Sequence, residues 1–221
     1  MYKIKNNQEL LTNLALSPQR IVTLSDGIFS IVMTLLILNV KFPDMKRLSE
    51  EELYIYLTSL MPELIIYIYS FLVLGIFWIT HHKIYHYIKE TDIALLWLSI
   101  FYLMFLAILP FSTDIAGVHG DHNLAVIIFL SNLFLVQVLI TIVWKYASDK
   151  HRLVDDSLNI KYIKITREKN NLVALIFFIA LIISFFNVTI PYYITYSIPL
   201  VTRYYKRNEL KELKIFIHEE E

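Results

Sequence analysis

The sequence predicts an all-α membrane protein with six transmembrane helices. Hydrophobic residues make up 57% of its 221 residues, whereas soluble domains hold about 45–50% apolar residues. Apolar runs recur along the chain at or near the roughly 20 residues that a helix needs to cross a bilayer core. Lys and Arg fall almost entirely in alternate connecting segments, which is the pattern of a multi-pass protein.

The six predicted spans follow one another along most of the chain. Pro62 predicts a kink in the second span and Pro110 the end of the third, because proline removes a backbone donor and breaks helices. The last two spans are separate because one helix over their 30 residues would be about 45 Å long, more than one crossing. Asn187 and Pro191 predict the turn between them. The spans cover residues 21–40, 53–78, 93–111, 124–144, 172–186 and 188–201.

The placement of Lys and Arg predicts that both termini are cytosolic. With the N-terminus inside, 17 of the 20 Lys and Arg residues fall on the inner side, and only Lys41, Lys46 and Arg47 fall outside. Cytosolic loops carry such an excess of positive charge. An even number of spans then returns the C-terminus to the cytosol, and the expected location is the cell membrane.

The predicted organisation is one transmembrane domain with short cytosolic ends. Residues 1–19 form the N-terminal segment, residues 20–205 the six-helix domain and residues 206–221 the C-terminal tail. The tail is expected to be a short surface helix with i,i+4 charge pairs. Residues 147–171 are expected to be a solvated connector, because segments of mixed charge are usually exposed.

Composition and spacing argue against several kinds of site. The chain has no Cys, which excludes disulfides and thiolate chemistry, and its zero net charge offers no basic field for nucleic acid. His82 and His86 have an i,i+4 metal-pair spacing but lack the Glu of a zinc-protease motif. Ser25, Asp26 and His81 have the residue types of a catalytic triad, yet Ser25 and Asp26 are adjacent on one helix, which favours packing. We therefore expect no enzyme activity, no cofactor and no resident metal.

Polar residues at membrane depth single out the first span and the inner end of the second. Arg20, Ser25 and Asp26 begin the first span, and the second returns to the same side at Trp78 and His81. Ionisable groups in lipid are rare and usually paired or functional. One interpretation is that these five residues form a polar clasp, a set of polar contacts that fixes the first helix against the second. The alternatives are that Asp26 or His81 moves protons or contacts an ion, or that the charge snorkels to water.

The remainder of the first span carries an apolar stripe with one hydroxyl group. Ile31, Thr34 and Leu38 lie at i, i+3 and i+7 and therefore share a helix face. Gly27 and Ser30 are small and permit close helix approach. Such a stripe is typical of helix packing. Around an axis of several copies it would instead line a pore, with apolar rings that gate by dewetting and a Thr ring that offers oxygens to a cation.

The first span resembles the first-helix signature of the prokaryotic transmembrane protein 175 potassium channels, relatives of the endosomal/lysosomal potassium channel. That signature begins R-x-x-x-F-S-D, and here RIVTLSDG starts at Arg20, followed by FSI and TLL. Trp78 and His81, in "FWITHH", resemble the family's pattern at the inner end of the second helix. Leu24 stands where the family has Phe, which removes an aromatic contact near the clasp.

The resemblance implies a homotetramer with one six-helix unit per subunit and the first helix of each lining a central pore. Ile31 would lie nearest the cytosol, Thr34 one turn further and Leu38 towards the outside, with the polar clasp behind the pore. It implies passive movement of K⁺ with modest selectivity over Na⁺, and the sequence contains no TVGYG filter. The implied partners are the other subunits, the lipid bilayer and monovalent cations, with no nucleic acid.

Two other functions fit the same residues. A proton channel or a proton-linked transporter would use Asp26 and His81 as titrating groups. A membrane enzyme or scaffold would carry no transport at all, and variants of the stripe would leave ion flux unchanged.

Overall fold

The computed structural model describes residues 17–38, 40 and 48–219, with residues 210–219 as backbone only. Most of the predicted N-terminal segment, the loop with Lys41, Lys46 and Arg47, and the end of the predicted tail lie outside the described residues. The division into residues 1–19, 20–205 and 206–221 stays a prediction.

The described residues form helices joined by short turns. Among these residues, four stretches are long and apolar enough to cross a membrane: 18–38, 61–87, 93–118 and 123–151. The predicted spans over residues 172–186 and 188–201 are not among these four, and the count of six stays a prediction. The helices are α1 Pro18–Leu38, α2 Glu50–Ser59, α3 Met61–Tyr87, α4 Ile93–Ala107, α5 Leu109–Val118, α6 Asn123–Ser148, α7 Ile160–Ser184, α8 Ile190–Thr195 and α9 Ile198–Glu219.

The second predicted span does not start where its apolar run starts. Ser49 begins α2 with a capping box, in which its side chain accepts from the Glu52 backbone and the Glu52 carboxylate accepts from the Ser49 backbone. The helix ends before Leu60, and Pro62 lies in the first turn of the next helix, α3. A proline there costs no helical hydrogen bond, because first-turn N–H groups have no partner within the helix. The predicted interruption near Pro62 is therefore present, but it divides the span into two helices, whereas a kink was predicted within one.

The third span likewise continues beyond its predicted end. α4 stops at Ala107, and Pro110 lies in the first turn of α5, which runs on to Val118. Pro110 thus starts a helix, and the prediction that it ends one is wrong.

The structure differs from the prediction for the connector and agrees with the prediction for the last turn. α7 begins at Ile160, where the Asn159 side chain accepts from the Lys161 backbone at 2.8 Å, so the predicted solvated connector is helical over its second half. The predicted turn between the last two spans is confirmed. There the Asn187 side chain accepts from the backbone N–H groups of Thr189 and Ile190, both at 2.8 Å.

α6 forms the centre of the bundle and α1 lies at its edge. α6 packs against α4, α5 and α7, and it is the most buried of the four candidate spans. Its fully buried side chains include Phe129, Leu133 and Trp144. α1 is the least buried of the four and contacts α3, α4 and α5. A helix packed on one side only leaves a long apolar face for lipid or for another protein chain.

Asp92 ties together three elements at the end of the bundle where α3 ends. Its side chain caps α4 by accepting from the Leu95 backbone at 2.8 Å, and it also accepts from the Tyr146 hydroxyl at 2.6 Å and from Arg152 at 3.2 Å. Partial burial raises the pKa of Asp92, but the Tyr146 and Leu95 hydrogen bonds and the charge of Arg152 hold it below its ordinary value.

We expect Asp92→Ala to lower the melting temperature of the purified protein, because losing a helix cap costs about 1 kcal/mol. Asp92→Asn is the matched control, since an amide oxygen still caps the helix. The lowered pKa means that the carboxylate stabilises the fold fully above its unfolded value of about 3.9 and loses this effect as the pH falls through the folded value. Scanning fluorimetry against pH checks both points. An Asp92→Ala protein that melts like the unaltered chain would contradict the prediction.

Candidate functional site

The candidate site begins with the two faces of α1. The face turned into the bundle carries Ile21, Ser25, Phe29, Val32 and Leu36, all buried. The opposite face carries the three predicted pore-lining residues. Ile31 is 59% exposed, Leu38 is 69% exposed, and Thr34 lies exposed between them. The i, i+3, i+7 spacing thus puts all three on a surface that the described part of the subunit does not cover.

The hydroxyl groups of this face donate to the backbone of their own helix. The Thr34 hydroxyl lies 2.8 Å from the Ile31 carbonyl oxygen and 3.1 Å from that of Ser30. The Ser30 hydroxyl donates to the Asp26 carbonyl at 2.8 Å. Because each proton points to the backbone, the hydroxyl oxygen presents its lone pairs outward. The exposed face can therefore offer acceptors, the groups that a cation needs.

Asp26 and Trp78 form the contact that joins α1 to α3. The Trp78 indole Nε1 donates to Asp26 Oδ1 at 3.1 Å, across 52 positions of sequence. The Trp78 ring also stacks on the ring of His82, with centroids 5.7 Å apart. These two members of the predicted polar clasp are brought together because the end of α3 returns to the depth at which α1 begins.

The other three predicted clasp residues have different surroundings. His81 is 1% exposed and packs among the rings of Phe29, Tyr85 and Tyr102, with centroids at 5.8, 4.2 and 5.7 Å. The buried Ser25 hydroxyl donates to the Ile21 carbonyl of its own helix at 2.7 Å.

Arg20 is exposed, and its side chain makes no hydrogen bond or ion pair with the described residues. The structure thus joins Asp26 to Trp78 and does not join all five residues into one hydrogen-bonded group.

Sequence reasoning missed two parts of this region. Tyr102 stacks nearly parallel to His81, at 7° between ring planes, but it stands in an unbroken apolar run with no signal that sets it apart. Glu209 was expected to lie in an exposed tail helix and is instead 3% exposed, paired with Lys83 and Lys169. Among the side chains of residues 17–38, 40 and 48–209, no three His, Asp or Glu groups come together as metal ligands.

We expect the Asp26–Trp78 hydrogen bond to contribute about 1 kcal/mol to the stability of the α1–α3 contact. In a double-mutant cycle, Trp78→Phe and Asp26→Ala should each lower the melting temperature, and the double variant should lose less than the sum of the two. Trp97→Phe is the matched control, because Trp97 is also exposed and lies on α4. Strictly additive losses would show that the hydrogen bond contributes nothing.

Comparison with known proteins gives matches over the same helices. Residues 20–110, from α1 into α5, match the family model described as the endosomal/lysosomal potassium channel TMEM175. A potassium channel of Chamaesiphon minutus is 29% identical over 138 residues, which cover 61% of this chain and 68% of the relative. A potassium channel of Streptomyces collinus is 39% identical over 94 residues, 42% of this chain and 45% of the relative. The human endosomal/lysosomal proton channel TMEM175 is 33% identical over 101 residues, 43% of this chain and 20% of the relative. The chain thus spans less than half the length of the last two.

Solved structures extend the likeness to the whole fold. The crystal structure of a lysosomal potassium-selective channel TMEM175 homolog from Chamaesiphon minutus superposes with a TM-score of 0.74 at 22% identity, over 87% of this chain and 97% of the other. A single-residue variant of the potassium channel MtTMEM175, in complex with a nanobody fusion protein, gives a TM-score of 0.53 at 16% identity, over 89% and 92% of the two chains. With its apolar helices, this chain is a multi-pass membrane protein, and its residues 20–110 are similar to the transmembrane protein 175 family of ion channels.

Proposed function

We propose that this chain is a potassium-permeable cation channel, in which α1 from each of four copies lines a central pore. The observation that carries the proposal is the exposed stripe of Ile31, Thr34 and Leu38 on the least buried candidate span. This stripe lies inside the segment that matches the family, and bacterial relatives of that segment are named potassium channels.

The stripe supplies the two kinds of surface that a simple cation pathway needs. Rings of Ile31 and Leu38 would form apolar constrictions that close by losing water. A ring of Thr34 between them would offer hydroxyl oxygens, whose lone pairs point away from their own helix. Selectivity would rest on the width of the constriction and on the weaker hydration of K⁺ relative to Na⁺. Without a cage of carbonyl oxygens, we expect that selectivity to be modest.

The movement would be passive. One elementary charge crossing the membrane field carries about 2.3 kcal/mol per 100 mV, so the gradient alone drives the flux. The excess of Lys and Arg in alternate segments favours an orientation with Arg20 and the end of α3 on the cytosolic side of the cell membrane. In that orientation, Ile31 lies nearest the cytosol and Leu38 nearest the outside.

Liposome flux tests the proposal directly. Vesicles holding the purified protein and a K⁺ gradient should show flux that persists when Cs⁺ replaces K⁺, falls when Na⁺ replaces it and stops with a large organic cation. Vesicles without protein give the background. Flux that ignores the cation and follows only the pH gradient would overturn the potassium assignment.

A second candidate function is proton permeation. The buried His81 has an Nε2 atom with no hydrogen-bond partner in the described structure, and vertebrate relatives are named proton channels. A proton pathway through Asp26 and His81 predicts that His81→Gln abolishes acidification of the vesicle lumen but leaves K⁺ flux intact. A pH-sensitive dye inside the same vesicles separates the two functions.

A further inference from the structure

A groove runs along the outside of the bundle between α3 and the pair α8–α9. It consists of two cavities that share Ile76. The first, of about 200 Å³, lies along the middle of α3, and the second, of about 570 Å³, lies where α3 approaches its end. From Ile65 to Lys83 the groove follows α3 for 18 residues, about 27 Å at 1.5 Å per residue.

The two cavities differ sharply in chemistry. The first is lined almost wholly by apolar side chains, among them Ile68 and Leu72, which are 54% and 62% exposed. The second joins Ile76 and Ile79 to five cationic side chains. These cations are Lys83, Lys169, Arg203, Lys206 and Arg207.

Among the side chains that the structure describes, only part of this positive charge is neutralised. The Glu209 carboxylate pairs with the buried Lys169 and with Lys83, the latter at 3.3 Å. The other three cations project from α9, are exposed, and form no ion pair with the described residues. Five cations against one carboxylate leave a strong excess of positive charge at the mouth of an apolar groove.

We propose that this groove binds an anionic phospholipid, with the phosphate group in the basic cavity and an acyl chain along the apolar cavity. Basic pockets between transmembrane helices recognise anionic headgroups, and juxtamembrane cations attract the anionic leaflet. The continuous apolar arm distinguishes this ligand from a free phosphate, which would use the basic cavity alone. The proposal is independent of which ion the protein conducts, because no residue of α1 lines either cavity.

Native mass spectrometry of the detergent-purified chain tests the proposal. Titration with dioleoyl phosphatidylglycerol should give adducts at a concentration about tenfold lower than dioleoyl phosphatidylcholine, as expected for several cations acting on an anionic headgroup. The Arg203→Gln/Lys206→Gln/Arg207→Gln variant should remove that preference, while the buried pair of Glu209 and Lys169 remains. Its matched control is Lys89→Gln/Lys145→Gln/Lys164→Gln, three exposed cations outside the cavity, which should retain the preference.

A second pair of variants tests the apolar arm. Leu72→Trp fills the groove and should weaken binding of phosphatidylglycerol, whereas Leu200→Trp, at an exposed position outside both cavities, should not. Equal adducts with both lipids, or an unchanged preference in the triple α9 variant, would overturn the proposal. So would displacement of the lipid by glycerol phosphate at equal concentration, because the site would then bind the free anion. The proposal would also fail if these groove variants changed the oligomeric mass but not the lipid preference, because the groove would then be a contact with a second copy of the chain.

Discussion

Ile31→Asn is expected to raise the basal cation flux of protein-containing liposomes by about tenfold, which corresponds to a barrier lowered by about 1.4 kcal/mol. Ile31 is 59% exposed, on the face of α1 that points away from the described bundle. In the proposed channel it forms the apolar ring nearest the cytosol. An apolar ring blocks ions because water leaves it, and an amide at the same position holds water there.

The expected leak has a physical cause: an ion that enters an apolar constriction loses hydrating water, and this loss costs free energy. Four amide side chains around one axis would supply both donors and acceptors, so an ion could keep part of its hydration while it crosses the ring. The same wetting should weaken discrimination between K⁺ and Na⁺, because a partly hydrated ion is no longer selected by its dehydration cost. We therefore expect the flux ratio of K⁺ to Na⁺ to fall towards one as the total flux rises.

Two variants make this experiment specific. Ile100→Asn places the same amide at an apolar position of similar exposure on α4, away from the stripe, and should leave flux unchanged. Thr34→Ala removes the hydroxyl oxygens while keeping the apolar rings, and should lower selectivity without the large leak. If Ile31→Asn and Ile100→Asn behave alike, α1 faces lipid at this position and does not line the pathway.

The part of the fold that depends on local pattern could be predicted from the sequence. The length and polarity of the apolar runs placed α1 and α6 closely, because a bilayer-length helix has a strong compositional signal. Interruptions were predicted at Pro62 and Pro110, but not that each proline would lie in the first turn of a new helix. A proline that starts a helix and a proline that kinks one look the same in sequence, and only the hydrogen bonds of the preceding turn distinguish them.

The candidate site also has one part that the sequence could predict and one part that it could not. Each residue advances a helix by a fixed rise, so the depth of a residue in the membrane follows from its position in the span. The approach of Trp78 to Asp26 could therefore be predicted by counting residues along the two helices. The burial of His81 among aromatic rings did not follow, because it depends on which helix packs beside α3. Tyr102 reaches His81 from α4, a neighbour that no periodicity within α3 could identify. Buried contacts between distant helices are therefore the part that only the tertiary structure supplies.

Glu209→Gln is expected to destabilise the fold by about 3 kcal/mol, since removing one partner of a buried ion pair leaves the other charge uncompensated. Lys169 on α7 is 5% exposed and Glu209 on α9 is 3% exposed, so neither side chain can turn to water without moving its helix. Glu209 also accepts from the Thr166 hydroxyl at 3.4 Å. The pair thus joins the last described helix to the bundle through two charges that are both buried.

The expected fall in melting temperature is roughly 10 °C, taking about 2–4 °C per kcal/mol for a chain of this size. Lys83→Gln is the matched control. It removes the second cation near Glu209, but the Lys83 side chain is 36% exposed, so its loss should cost little. The contrast between the two variants separates burial from simple proximity to an opposite charge.

The double variant Lys169→Met/Glu209→Met gives the deciding measurement. Replacing a buried ion pair by apolar side chains of similar volume is often neutral or stabilising, because the desolvation cost of both charges disappears. We therefore expect the double variant to recover most of the stability that Glu209→Gln loses. If it melts as low as the single variant, the loss comes from packing of α9 and not from the unpaired lysine. Recovery would instead show that the α7–α9 contact tolerates an apolar pair and that the unpaired Lys169 causes the loss in Glu209→Gln.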